Sequence, residues 1–240
     1  MSTAQPAPEP GPDTGQSPRQ ILYHYTTTEA AISIVRSRTL WATSIHHMND
    51  AREFMHALDV VRGQLQRLAR AADRQPSDEL FFRVFEETLT DFRKNHVHAF
   101  CLSEHPDQLS QWRAYSRGGG YALGFDAERL AHLMRQHGFT LARCIYHEAE
   151  QLASVRGPLE AALTVFRDYI GRGEGMLGSM QAARDVFFPD FASAGPFMND
   201  SAFMEEAEWG LVSTRWVADD PRIDFRSASN SIAPTSSLPA

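Results

Sequence analysis

Cysteine is nearly absent: only Cys101 and Cys144 occur in 240 residues. Both fall in strand-like runs without ligand spacing, so neither a disulfide framework nor a zinc site is expected. Long apolar runs are missing too. No stretch approaches the roughly 18 residues that a helix needs to span a bilayer, so no membrane association is expected. The amino terminus lacks the basic-then-apolar order of a secretory signal, which makes the cytoplasm the expected compartment. Basic charge is in deficit, with 23 Lys and Arg against 30 Asp and Glu, a net charge of −7 and a pI near 5.8. That balance argues against non-specific attraction to nucleic acid, which needs a basic footprint, although a local basic groove stays open. Internal repeats are also lacking.

What is present is an ordinary globular composition, 42% hydrophobic and 22% charged, enough for one well-formed core. Residues 1–19 carry Pro6, Pro8, Pro10, Pro12 and Pro18 among small polar residues. Such a segment has too little apolar surface to offset the entropy of ordering and reads as a disordered tail. A second disordered tail, rich in Ser, Pro and Ala, is expected over 227–240, leaving 20–226 as a single domain.

The chain is organised around Leu22, Tyr23, His24, Tyr25 and Thr26, whose alternating bulk and polarity read as a short strand. The helix over 28–38 follows at once, with Ala31, Ile32 and Val35 at helical spacing to pack back on the strand. Thr26, Thr27 and Thr28 supply hydroxyls to cap it, and Glu29 suits its first turn. A polar loop over 44–50 leads, through the capping pair Asn49 and Asp50, into a helix carrying Phe54, Leu58, Val61, Leu65 and Leu68 on one stripe. A second amphipathic helix spans about 77–93, after a turn at Gln75, Pro76 and Ser77.

The period then changes. Residues 97–103 read as a largely buried strand ending on Ser103, where a strand opens into a cleft. A short helix over 108–115 is broken by Gly118, Gly119 and Gly120 before a strand over 121–125. Neither a Walker pattern nor a dinucleotide fingerprint accompanies those glycines. Asp126 caps a helix that Gly138 stops, and 140–146 is again strand-like. Helices are expected over 158–170 and near 180–187. Glu206 falls in a turn and Glu208 begins a strand running to about Trp216, with a last short strand over 223–226.

Seven blocks in order carry a resemblance: the first strand, then Leu40, Trp41 and Ala42, then 48–53, then 100–104, then 111–115, then 120–125, and finally 203–209. Together they resemble the bacterial family known as domain of unknown function 2971, over roughly residues 21–226. The chain departs from that pattern at Asn199, where a lysine is usual, at Gly210, where an arginine usually follows the tryptophan, and at Pro234 and Thr235, which replace a proline–tyrosine pair.

A weaker resemblance supplies chemistry. A histidine-bearing strand followed by a helix, a mid-chain tyrosine and a late glutamate leading into a strand is similar to the His-Tyr-Glu arrangement of ADP-ribosyltransferases. It implies an α+β fold with a small, bent, mixed sheet and flanking helices. It also implies NAD as a substrate, an unknown protein or nucleic-acid acceptor, and a role as a toxin or phage-defence effector. On that resemblance His24 and Tyr25 would hold NAD together with Ser103, Arg113 would meet a phosphate, and Tyr115 or Tyr121 would stack on nicotinamide. Glu206 or Glu208 would act at the nicotinamide ribose, because bond cleavage builds positive charge on the sugar and a carboxylate beside it favours the transition state. Two alternatives come from other classes. One is a non-enzymatic module whose cleft binds a nucleotide or a protein. The other is a metal-dependent hydrolase using His46 or His47 with Asp50 and Glu53, or His96 with His98. Capping already accounts for Asp50, so no metal is expected.

Overall fold

The computed structural model describes residues 19–47, 51–71, 73–92, 97–116, 119–214, 220–228 and 231–239. Its centre is strand β3 (His98–Ser103), and the sheet is built outward from it. Along one edge β3 pairs with β6 (Glu208–Ser213), from Ala99↔Val212 to Ser103↔Glu208, and β6 pairs in turn with β5 (Phe139–Arg143). The other edge is shared. β1 (Ile21–Thr27) meets β3 at Tyr23↔Ser103, while β2 (Thr39–Ser44) meets it at Ser44↔His98. Two strands leaving one edge at opposite ends must diverge, and the sheet curls into a half-barrel. β4 (Gly120–Asp126) extends it beyond β1, and β8 (Ser231–Pro239) with β7 (Asp224–Ala228) beyond β2.

The architecture is α+β with helices on the flanks. The sheet is not mixed, however: every pairing between these strands is antiparallel, and among the described residues the parallel contact is an isolated bridge, Ile145↔Met198.

Alternation along β3 separates two cores. Phe100 and Leu102 join Leu22, Leu40 and Leu211 beneath α5 (Ala127–Arg135), which contributes Leu130 and Met134. Ala99 and Val212, on the opposite face, meet a helical cluster made by α2 (Ala51–Ala69), α3 (Asp78–Phe92), α6 (Glu148–Gly171) and α7 (Gly175–Ala194). Its centre is aromatic: Phe81, Phe85, Phe166, Phe187 and Phe191 are all essentially inaccessible to solvent.

Local chemistry accounts for most boundaries. α1 (Thr28–Ser37) is capped by Thr27, whose hydroxyl oxygen accepts from the Ala30 N–H at 3.3 Å. It buries Ala31 and Ile34, whereas Ile32 and Val35 face out, so its apolar stripe is turned by one residue from the expected one. Asp126 caps α5 through Arg129 N–H at 3.0 Å, and Gly138 takes φ +77° just beyond that helix.

Three segments differ from expectation. α6 starts ten residues before Pro158 because Gln151, Val155 and Leu159 form one buried stripe. That stripe offsets the hydrogen bond which the proline lacks. α7 likewise runs through Pro189, carried by Met180, Ala183, Phe187 and Phe191. Residues 231–239 are a strand rather than a disordered tail: β8 pairs with β2 from Thr39↔Pro239 to Thr43↔Thr235, and Leu238 is buried opposite Leu40. A strand closing an open edge draws on backbone hydrogen bonds, so small polar residues serve. The amino-terminal tail over 1–18 and the capping pair Asn49 and Asp50 lie outside the described residues.

Candidate active site

The site is assembled where β3 ends and β6 begins. A 3₁₀ turn, Ser201–Glu206, precedes β6; Asp200 caps it through Ala202 N–H at 2.9 Å, and Ala207 ends it at φ 43°. That left-handed residue is what separates Glu206, in the turn, from Glu208, the first residue of the strand, as the sequence reading expected. Ser103 fixes the turn to β3. Its hydroxyl donates to the Glu206 carbonyl at 2.7 Å and accepts from His105 N–H at 3.1 Å.

The segment after Ser103 is pinned by Tyr25. The phenol donates to the His105 carbonyl at 2.6 Å and accepts from Gln108 N–H at 2.9 Å. Burial pushes the phenol pKa up, the Gln108 N–H opposes it, and the nearby Asp107 charge adds to the rise. The ring meets Trp112 edge-on at 4.6 Å, and the indole N–H donates to Asp107 at 2.6 Å. These contacts fix α4 (Leu109–Tyr115), whose buried Gln111 donates an amide hydrogen to the Glu206 carboxylate at 2.7 Å. Tyr115 lies one turn beyond Gln111 and shares its side of the helix; Arg113, two residues on, is exposed and turned away from that side.

Glu208 has a different environment. It is 5% exposed, against a half-buried Glu206. The Asn199 amide donates to its carboxylate at 3.2 Å, and its own N–H donates to the Tyr146 hydroxyl at 3.0 Å. The Tyr146 phenol is held well above its ordinary pKa by burial first, then by Cys144. The charges of Glu208 and Glu206 add to this, against the opposing Glu208 N–H, so the phenol stays protonated. Glu206 is therefore the reachable carboxylate of the two.

Strand parity divides the other candidates. The pairs Tyr23↔Ser103 and Ser103↔Glu208 put Tyr23, Tyr25, Ser103 and Glu208 on one face. His24 is on the other: its ring stacks on Phe100 at 4.0 Å, and its Nδ1–H donates to the Cys101 carbonyl at 2.9 Å. Tyr121, 54% exposed, shares the face of His24, since Thr26↔Tyr121 and His24↔Leu123 are paired. The structure thus brings together Tyr25, Ser103, Glu206 and Glu208, with Tyr115 on the side of α4 that faces Glu206. It separates His24, Arg113 and Tyr121 from them. Of the metal alternative, Asp50 and His96 lie outside the described residues, His46 and His47 are exposed, and His98 is buried in β3.

Residues 111–209 match a family described as a protein of unknown function, DUF2971. No curated protein and no solved structure matches the chain. The DUF2971 match takes in the blocks at 111–115, 120–125 and 203–209, and therefore Gln111, Tyr115, Glu206 and Glu208. It stops before Gly210, one of the departures from the family pattern. A Cβ there would lie 3.1 Å from both Phe197 and Val212, so a larger residue requires Phe197 to move. A second departure from the family pattern, Asn199, is 1% exposed and donates to Glu208. Gln111, Asn199 and Tyr146 were not singled out as site residues from sequence. Gln111 lies within the family-like block at 111–115, but nothing in spacing shows that a glutamine will be buried against a carboxylate.

Proposed function

We propose that the chain is an ADP-ribosyltransferase-like enzyme that cleaves the nicotinamide–ribose bond of NAD, with Glu206 as the carboxylate at the ribose. The observation that carries the reading is the pairing of a half-exposed Glu206 with the Gln111 amide at 2.7 Å, beside a second carboxylate that is buried. The curled antiparallel sheet with flanking helices supports the same reading at the level of fold.

The chemistry follows from charge. As the bond between ribose C1′ and the nicotinamide nitrogen breaks, nicotinamide leaves neutral and positive charge builds on the sugar. A carboxylate oriented by a donor on one oxygen presents the other to that charge without reorganising. The acceptor's lone pair then bonds to C1′, and its proton passes to Glu206 or to solvent. Tyr115, on the same side of α4 as Gln111, offers the flat surface for nicotinamide. In this reading His24 braces β1 against β3 from the opposite face and does not hold ribose. The acceptor is a macromolecule, protein or nucleic acid.

The test is nicotinamide release on incubation with NAD. Wild type is expected to release it, and Glu206→Gln to lose about a hundred- to ten-thousand-fold in rate, the usual worth of such a group, while still binding NAD. Binding of NAD without release by wild type would favour a non-enzymatic module instead.

A further inference from the structure

α2, the first turns of α6 and the start of the turn that carries Glu206 enclose a cleft of about 430 Å³, a size that suits a small molecule. Tyr146 forms part of its wall. Gly63 sits in the cleft and in the middle of α2, where glycine costs about 0.5–1 kcal/mol relative to alanine. Neither packing nor backbone requires it: a Cβ at this position would meet nothing within 4 Å, and its φ is not left-handed. Among the described residues none packs where the Gly63 side chain would be, whereas an occupant of the cleft would use that space.

The second observation fixes a hydrogen-bonding role. Gln151 is 2% exposed, and its amide nitrogen donates to two carbonyls, Ile145 at 2.6 Å and Asn199 at 2.8 Å. Both amide hydrogens are thereby used, so the oxygen is what faces His56, at 2.9 Å. The His56 Nε2 must therefore carry a proton, and in the singly protonated ring Nδ1 is the acceptor. A side chain oriented in this way by a buried partner is pre-organised to receive a ligand donor.

Val60 and Leu152 give the cleft an apolar floor. Its charged groups favour a cation. Asp59 is bonded to Arg62 at 2.9 Å and Asp200 caps the 3₁₀ turn, while Glu148 stands 3.8 Å from Arg67, the one Lys or Arg among the described lining residues. We propose that this cleft binds a small organic cation with an apolar stem, of the aliphatic amine or guanidine class, its N–H donors directed to His56 and to the carboxylates. The proposal is independent of NAD cleavage.

The test uses the full chain and agmatine in isothermal calorimetry. Saturable one-to-one binding is expected, with adipate, an anion of similar length, failing to bind. Gly63→Leu projects a side chain into the cleft and should weaken agmatine at least tenfold, whereas Gly63→Ala leaves it within a few fold. His56→Phe keeps a ring, removes the acceptor, and should weaken binding about tenfold. A thermal midpoint for Gly63→Leu no lower than that of wild type shows that the fold is intact. Absence of saturable binding at millimolar agmatine, binding unchanged by Gly63→Leu, or tighter binding of adipate would each overturn the proposal.

Discussion

Replacing Arg167 by leucine tests the contact that ties α3 to α6. Asp78 is fully buried at the start of α3, and Arg167, 22% exposed, grips both carboxylate oxygens, Nε at 2.9 Å and Nη2 at 2.6 Å. Gln75 N–H adds a third donor at 2.8 Å. Arg167→Leu leaves a buried carboxylate with one donor, a change that costs about 3–5 kcal/mol in comparable sites. For a chain of this size that is a fall in thermal midpoint of roughly 6–20 °C. The pH dependence gives a second signature. The Arg167 guanidinium holds the Asp78 carboxyl below the usual carboxylate range, although burial pushes it up. In wild type this contribution is therefore complete above the unfolded value of about 3.9 and drains away as pH falls through the folded one. Without Arg167, burial raises the carboxyl, protonation relieves the buried charge, and acidification from pH 7 to 4 should narrow the gap between variant and wild type. Thermal denaturation across that range is the assay. A loss below about 1 kcal/mol at pH 7, the level of a surface pair, with a constant gap would refute the reasoning.

Tyr25→Phe removes one donor and one acceptor from the segment that positions α4, and should cost about 1–2 kcal/mol in urea denaturation; an unchanged midpoint would mean that water replaces both bonds without loss. Gly210→Ala places a methyl 3.1 Å from Phe197 and Val212 and should cost about 1–3 kcal/mol, with Phe197→Leu recovering part of it. Deleting residues 231–240 strips β8 from β2 and uncovers Leu40, so the thermal midpoint should fall by several degrees; a truncated chain as stable as the full one would return this segment to the status of a tail.

The parts of this fold that are legible in sequence are those specified locally. A threonine before an amphipathic run marks the start of α1, an aspartate and a glycine bracket α5, and the separation of Glu206 in a turn from Glu208 in a strand needs only residues close in the chain. What is not legible depends on distant partners. β8 exists because β2 has an open edge, and its composition carries no trace of that edge. Pro158 reads as a helix start, yet the burial of Val155 and Leu159 carries α6 through it, and the burial of Phe187 and Phe191 carries α7 through Pro189, beyond the expected 180–187. His24 illustrates the same limit at the site. Its place in mid-strand is plain from the sequence, but the face it occupies is set by the register between β1 and β3, which is a tertiary fact. Gln111 and Asn199 owe their importance to Glu206 and Glu208, nearly a hundred residues away in the first case and nine in the second.

The most direct test of the account is a comparison of wild type, Glu206→Gln and Glu208→Gln, each incubated with NAD while free nicotinamide is followed by chromatography and NAD binding by calorimetry. Glu206→Gln is isosteric and keeps a hydrogen-bonding oxygen beside Gln111, so it removes charge while preserving shape. Wild type should release nicotinamide, and Glu206→Gln should bind NAD but release at most about one hundredth as much in the same time. Full-rate release by Glu206→Gln would contradict the assignment of Glu206, and neither release nor binding by wild type would contradict the reading of this site as one that acts on NAD.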